Sequence, residues 1–128
     1  MPVAMDWETP ERKIIRVTFM GEWDVDDIHR MITKRNSMMD CVNHSVHMIL
    51  DMTASTSSPS NLFSVTSRIE LPANKTGSLV ILINPSNYIK SVGKIMQRLS
   101  PRSFEGVYAV SSLEEAHAII AEQSVQTA

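Results

Sequence analysis

Leu79-Val80-Ile81-Leu82-Ile83 is an unbroken apolar run, bounded by Ser78 on one side and Asn84-Pro85 on the other. At that length, and rich in branched side chains, it reads as a strand rather than a helix. A strand with no polar face must be covered on both sides, which is the situation of an interior strand in a parallel sheet flanked by helices. The rest of the chain has to supply those covering layers.

It does so by alternation. Residues 13–21 set Ile15, Val17 and Phe19 against Arg16 and Thr18, the period of a strand with one wetter face. Residues 3–7 are also strand-like, and Thr9-Pro10-Glu11-Arg12 supplies turn chemistry, so the chain opens on a β-hairpin. Asp24 reads as a helix cap with Asp27 at the third helical position, and Trp23 and Ile28 have the spacing of a hydrophobic staple. Ile28, Ile32, Met39 and Val42, helped by Met31 and Met38, then recur along one helical face. Residues 46–52 form a second buried strand. Ser58 and Pro59 open a short helix with Leu62, Val65 and Ile69 inward, broken over residues 71–77. After the apolar run, Pro85 and Ser86 open a further helix carrying Ile89, Val92, Met96 and Leu99 inward, stopped by Ser100-Pro101. Residues 106–110 make a last strand. Ser112-Leu113-Glu114-Glu115 is a capping box for a final helix with Ala116, Ile119 and Ile120 inward. The fold expected is an α/β layered domain: a mixed, mostly parallel sheet of about five strands with about four helices. The 128 residues fit one domain over 1–128, with residues 123–128 expected to fray.

Composition narrows function mainly by exclusion. Charged residues are 20% and the formal charge is -2, which gives no global attraction to nucleic acid or to an anionic membrane. No apolar stretch approaches the ~18 residues of a membrane helix, so no membrane insertion is expected. One cysteine, Cys41, permits no internal disulfide, and the default setting is reducing and cytoplasmic. His29, His44, His47 and His117 share no metal-like spacing with each other or with Cys41, and Gly21, Gly77, Gly93 and Gly106 stand too far apart for a phosphate-binding glycine loop. No acid and base are paired and no nucleophile is activated, so neither a cofactor nor enzymatic activity is expected.

The expected working surface follows Asp51. Six of residues 53–60 carry hydroxyls: Thr53, Ser55, Thr56, Ser57, Ser58 and Ser60, with Asn61 next. Ligands and partners of sheets wound with helices meet the carboxyl ends of the strands. Three readings stand side by side. The hydroxyls can simply satisfy turns and helix ends. Ser57 or Ser58, at a helix amino end, can be phosphorylated, where the dipole favours the dianion. Or the segment can cradle a phosphate or lipid-like small ligand. A second constellation is basic: Lys90, Lys94 and Arg98 are spaced by four, with Arg102 just beyond, as a solvated face or a docking stripe for an acidic or anionic partner. An exposed opening strand offers a route to a homodimer.

The hairpin, then Gly21-Glu22-Trp23-Asp24 into a helix, then Ile49-Leu50-Asp51-Met52-Thr53 and a serine-bearing turn, resembles the STAS family, the sulfate-transporter and anti-sigma-factor-antagonist domains. The resemblance covers most of the chain in element order and implies a non-enzymatic regulatory module that binds a protein partner. In that family an Asp-Ser-Ser-Gly-type turn follows the strand, and its serine is phosphorylated by a partner kinase. Thr56-Ser57-Ser58-Pro59 stands at that place here, without the preceding acid or the following glycine. A different class starts from the acids. Asp51 at a strand outlet, with Glu22 and Asp24 after an earlier strand, is distantly similar to a response-regulator receiver, in which clustered acids hold magnesium beside a phospho-accepting aspartate.

Overall fold

The computed structural model describes residues 2–62, 79–99 and 106–127. Among them stand five strands, β1 (Val3–Trp7), β2 (Ile14–Glu22), β3 (His47–Ser57), β4 (Leu79–Ile83) and β5 (Gly106–Val110), and three helices, α1 (Val25–Asp40), α2 (Asn87–Leu99) and α3 (Leu113–Thr127). The helix expected after Ser58-Pro59, its break at residues 71–77, the Ser100-Pro101 stop and Arg102 lie outside the described residues; Leu62 is buried. The fold class is the expected one. The strands lie in the order β1-β2-β3-β4-β5, with β1 and β2 antiparallel and every other pair parallel.

A sheet that grows in one direction through right-handed crossovers keeps its crossover helices on one face. α1, between β2 and β3, and α2, between β4 and β5, share that face. Ile28 and Met39 of α1 and Ile89 and Val92 of α2 pack into one cluster with Ile15, Phe19, Met48, Met52 and Leu82. α3 covers the opposite face, where Ala116 and Ile120 meet Ile49, Leu79, Ile81 and Ile83. The apolar run is therefore covered on both sides, as its composition requires.

The helix ends follow their caps. Asp24 and Asp27 form the full reciprocal box: Asp27 N–H donates to Asp24 Oδ1 and Asp24 N–H to Asp27 Oδ2, both at 2.9 Å. The Asp24 backbone N–H, followed by Arg30, holds the Asp27 carboxyl below its ordinary value. At α3 the expected box is half made. Glu115 N–H donates to Ser112 Oγ at 3.2 Å, but the Glu115 carboxylate takes the N–H of Ser111 instead. α3 extends to Thr127, with neither glycine nor proline to interrupt it.

Arg35 was not anticipated. It lies between Ile28, Ile32 and Met39 on the inward stripe of α1 and is 3% exposed, its guanidinium donating to Asn36 Oδ1. Burial lowers its pKa to about 10. The long aliphatic stem suits the apolar layer while the head finds polar atoms.

The edge open to a second copy is also partly occupied. Lys34 reaches from α1 to the Met5 carbonyl on β1 at 2.8 Å. A lysine so placed blunts edge pairing, which weighs against the homodimer route that the sequence suggests.

His47 makes stability depend on pH. Its Nδ1 accepts the Leu79 N–H at 2.9 Å, which requires that nitrogen to be unprotonated, and burial lowers its pKa from the ordinary 6.5. A histidine whose folded pKa is depressed contributes stability that is complete above the unfolded value and is lost as pH falls below it. The melting temperature should therefore drop between pH 7.5 and 5.5, and His47→Gln should remove part of that drop. An identical pH dependence in the variant would show that His47 is not its source.

Candidate functional site

The hydroxyl segment is not a loop throughout. Residues 53–57 belong to β3, which continues five residues past the expected end at Met52. The strand goes on because β2 goes on beside it, through two register shifts: Thr18 pairs with Asp51 but Met20 with Ala54, and Gly21 pairs with Ser55 but Glu22 with Ser57. Gly21 sits at these shifts with φ +64. That left-handed conformation suits glycine and lets the two strands stay paired across the shifts.

Extension of the strand separates Asp51 from the hydroxyls. Asp51 lies within the sheet, not at a strand outlet. Side chains alternate between faces, so with Met48, Leu50 and Met52 on the α1 and α2 side, Asp51 points to the other side. There it stands 3.8 Å from Arg16 and accepts the Thr53 N–H at 3.0 Å. The receiver-like arrangement is not formed. Glu22 is opposite Ser57, farther along β3, and Asp24 is committed to the α1 cap. Among the described residues no three His, Cys, Asp or Glu side chains gather to hold a metal.

The remaining hydroxyls meet a partner that the sequence reading did not include, the turn from β4 into α2. Thr53, Ser55, Thr56, Ser57 and Ser58 line a polar hollow of about 220 Å³ whose opposite wall is Asn84, Pro85 and Ser86. Asn84, with φ 51, donates its side-chain amide to Thr53 Oγ1 at 3.0 Å, and its N–H to the Val110 carbonyl at 2.9 Å. Ser86 Oγ caps α2 by accepting the Ile89 N–H at 3.2 Å. The Tyr88 hydroxyl donates to the Ser60 carbonyl at 2.8 Å, and the Trp23 indole N–H to Ser55 Oγ at 2.8 Å. Thr53 and Ser55 are thus structural members of the wall. Thr56 and Ser57 are exposed, Ser58 is half-buried, and Ser60 and Asn61 are exposed. The signal that could have found Asn84 is the same outlet rule, applied to β4 as well as to β3.

The basic stripe begins at the same end. Lys90 helps line a neighbouring hollow that shares Asn84 and Pro85. Lys94 and Arg98 follow it along α2, all three exposed. The helix contains no acid, and Tyr88 and Ile95, 39% and 43% exposed, add apolar area to its outer surface. Hydroxyls and cations therefore meet at one rim, although Asp51 does not join them.

No protein-family model and no curated protein matches the chain. Solved structures do. The anti-sigma factor antagonist SpoIIAA in its unphosphorylated form aligns with a TM-score of 0.57 at 20% identity, covering 93% of this chain and 98% of that one. The Bacillus cell fate determinant SpoIIAA in its phosphorylated form aligns with a TM-score of 0.53 at 21% identity, covering 91% and 99%. The chain has the fold of these antagonists, as its resemblance to the STAS family implies. No helix among the described residues is long and apolar enough to cross a membrane.

Proposed function

We propose that a chain with this fold is a non-enzymatic regulatory module that acts by docking an acidic protein surface at the rim shared by residues 53–61 and α2. The observation that carries this reading is the junction itself. Exposed hydroxyls of β3 face the first turn of α2, an acid-free helix that extends Lys90, Lys94 and Arg98 along one stripe, with Tyr88 and Ile95 exposed beside it. Arginine and aromatic side chains with clustered charge of one sign suit a steered protein contact.

Modification at the rim fits the same module, and one of the aligned structures is of a phosphorylated protein. The two candidate serines differ in their surroundings. A phosphate on Ser57 would stand directly across from Glu22 and strain the strand end by like-charge repulsion. Ser58, the first residue past the strand, carries no such neighbour in the pairing. Ser58 is therefore the preferred acceptor.

The test compares capture from the native organism by wild type, Ser58→Asp and a Lys94→Glu/Arg98→Glu variant, together with the intact mass of the native protein. The expected result is a partner held by wild type, lost in the charge-reversed variant, weakened by salt and altered by Ser58→Asp, with one added phosphate on Ser58. Equal capture by all three proteins, at every salt concentration, would remove the docking surface.

A further inference from the structure

A second hollow lies directly beneath the first. Between the sheet and helices α1 and α2 is a partly open apolar hollow of about 110 Å³, walled among the described residues by Phe19, Trp23, Leu50, Leu82 and Val92, with Arg35 its charged member. An apolar cavity of about 150 Å³ stays dry and binds a benzene-sized molecule, so this one suits a small ring or a chain of a few carbons. Such a space in a core is normally closed by collapse, because each unfilled volume forfeits contacts.

The cavity does not stand alone. Met52 and Ile89 line both it and the hydroxyl hollow. Trp23 forms part of the lower wall while its indole N–H holds Ser55 of the upper one. An apolar chamber and a hydroxyl-lined one are therefore neighbours across two side chains. One of these is methionine, whose unbranched chain changes shape readily.

We propose that the paired hollows bind a single small amphiphile, its apolar tail in the lower cavity and its oxygen-rich head among Thr56, Ser57 and Ser58. A molecule of this kind satisfies both chambers at once. Its tail removes apolar surface from water, and its head exchanges hydrogen bonds with hydroxyls that both donate and accept. A charged, fully polar ligand would leave the lower chamber empty, and a hydrocarbon would ignore the upper one. The inference goes beyond partner docking, and its readout contains no partner.

The experiment titrates the full chain with hexanol, hexanoate, hexyl phosphate and, as a headless control, toluene, following the Trp23 indole N–H and Met52 methyl resonances. The expected result is saturable movement of both signals by a headed probe, with affinity about tenfold tighter than toluene, the worth of one or two hydrogen bonds. The probe that binds most tightly identifies the head as hydroxyl, carboxylate or phosphate. Ser57→Ala/Ser58→Ala, a surface change that leaves the core alone, is expected to abolish that advantage while leaving toluene unaffected. Val80→Phe, which places a ring in the lower cavity, is expected to abolish binding of every probe. The proposal is overturned by no saturable movement with any probe, by toluene binding as tightly as the headed probes, or by unchanged affinities in the double serine variant.

Discussion

Phe19→Ala is expected to lower the free energy of unfolding by about 3–5 kcal/mol, a large part of the ~5–15 kcal/mol available to a domain of this size. Phe19 is 0% exposed and is the largest of the fully buried side chains among the described residues. Its ring meets that of Trp23 at 4.8 Å between centroids, tilted by 58°. Truncation removes the buried ring, leaves a hole between β2 and the helices of its face, and takes away the support of Trp23, which holds Ser55. Urea unfolding measures the loss. Tyr108→Ala, at a ring 43% exposed on β5, is the comparison and is expected to change stability by about 0.5 kcal/mol or less. If the two variants unfold at similar urea concentrations, the core assignment of β2 is wrong. In Phe19→Ala the Trp23 indole N–H should also lose its hydrogen-bonded chemical shift, which ties the core to the rim above it.

Gly21→Val is expected to cost about 1–3 kcal/mol and to release the end of β3 selectively. The reason is conformational rather than steric. A Cβ at Gly21 would meet nothing within 4 Å, but φ is +64, which a β-branched residue rarely adopts. The strain falls on the two register shifts that allow β2 and β3 to stay paired beyond Asp51. Hydrogen exchange resolves the effect. Amides of residues 54–57 should lose protection more than those of Ile49 and Leu50, and Gly21→Asn, which tolerates the left-handed region, should be milder. Uniform loss of protection along β3 would mean that Gly21 supports the sheet generally and not its hydroxyl-bearing extension.

These two positions also mark how far the residues could be read in one dimension. Phe19 was legible, since its alternation with Arg16 and Thr18 placed it on the covered face. Gly21 was visible only as a lone glycine after a strand. Nothing local told that it would let β3 run on to Ser57, and serine and threonine at residues 53–57 satisfy turn chemistry as readily as they lie in a strand. The stripe of α1 is legible from Ile28 to Met39, although the helix ends at Asp40, before the Val42 that the periodicity includes, and the apolar spacing gives no sign that Arg35 joins it. Ser57 and Ser58 were found as a hydroxyl cluster, and their facing wall of Asn84, Pro85 and Ser86 was not, because it lies far away along the chain.

The sequence by itself determined the layered α/β class, the hairpin start, the doubly covered β4, the caps at Asp24 and Ser112 and the helix start at Pro85-Ser86, since each depends on periodicity or on neighbours a few residues apart. Only the tertiary structure decided that Asp51 turns to Arg16 and leaves the hydroxyls, that Lys34 occupies the β1 edge, and that an apolar and a polar hollow share Met52 and Ile89. Those outcomes depend on strand register and on the contact of distant segments, and a local pattern sets which face a side chain takes without setting what it meets there.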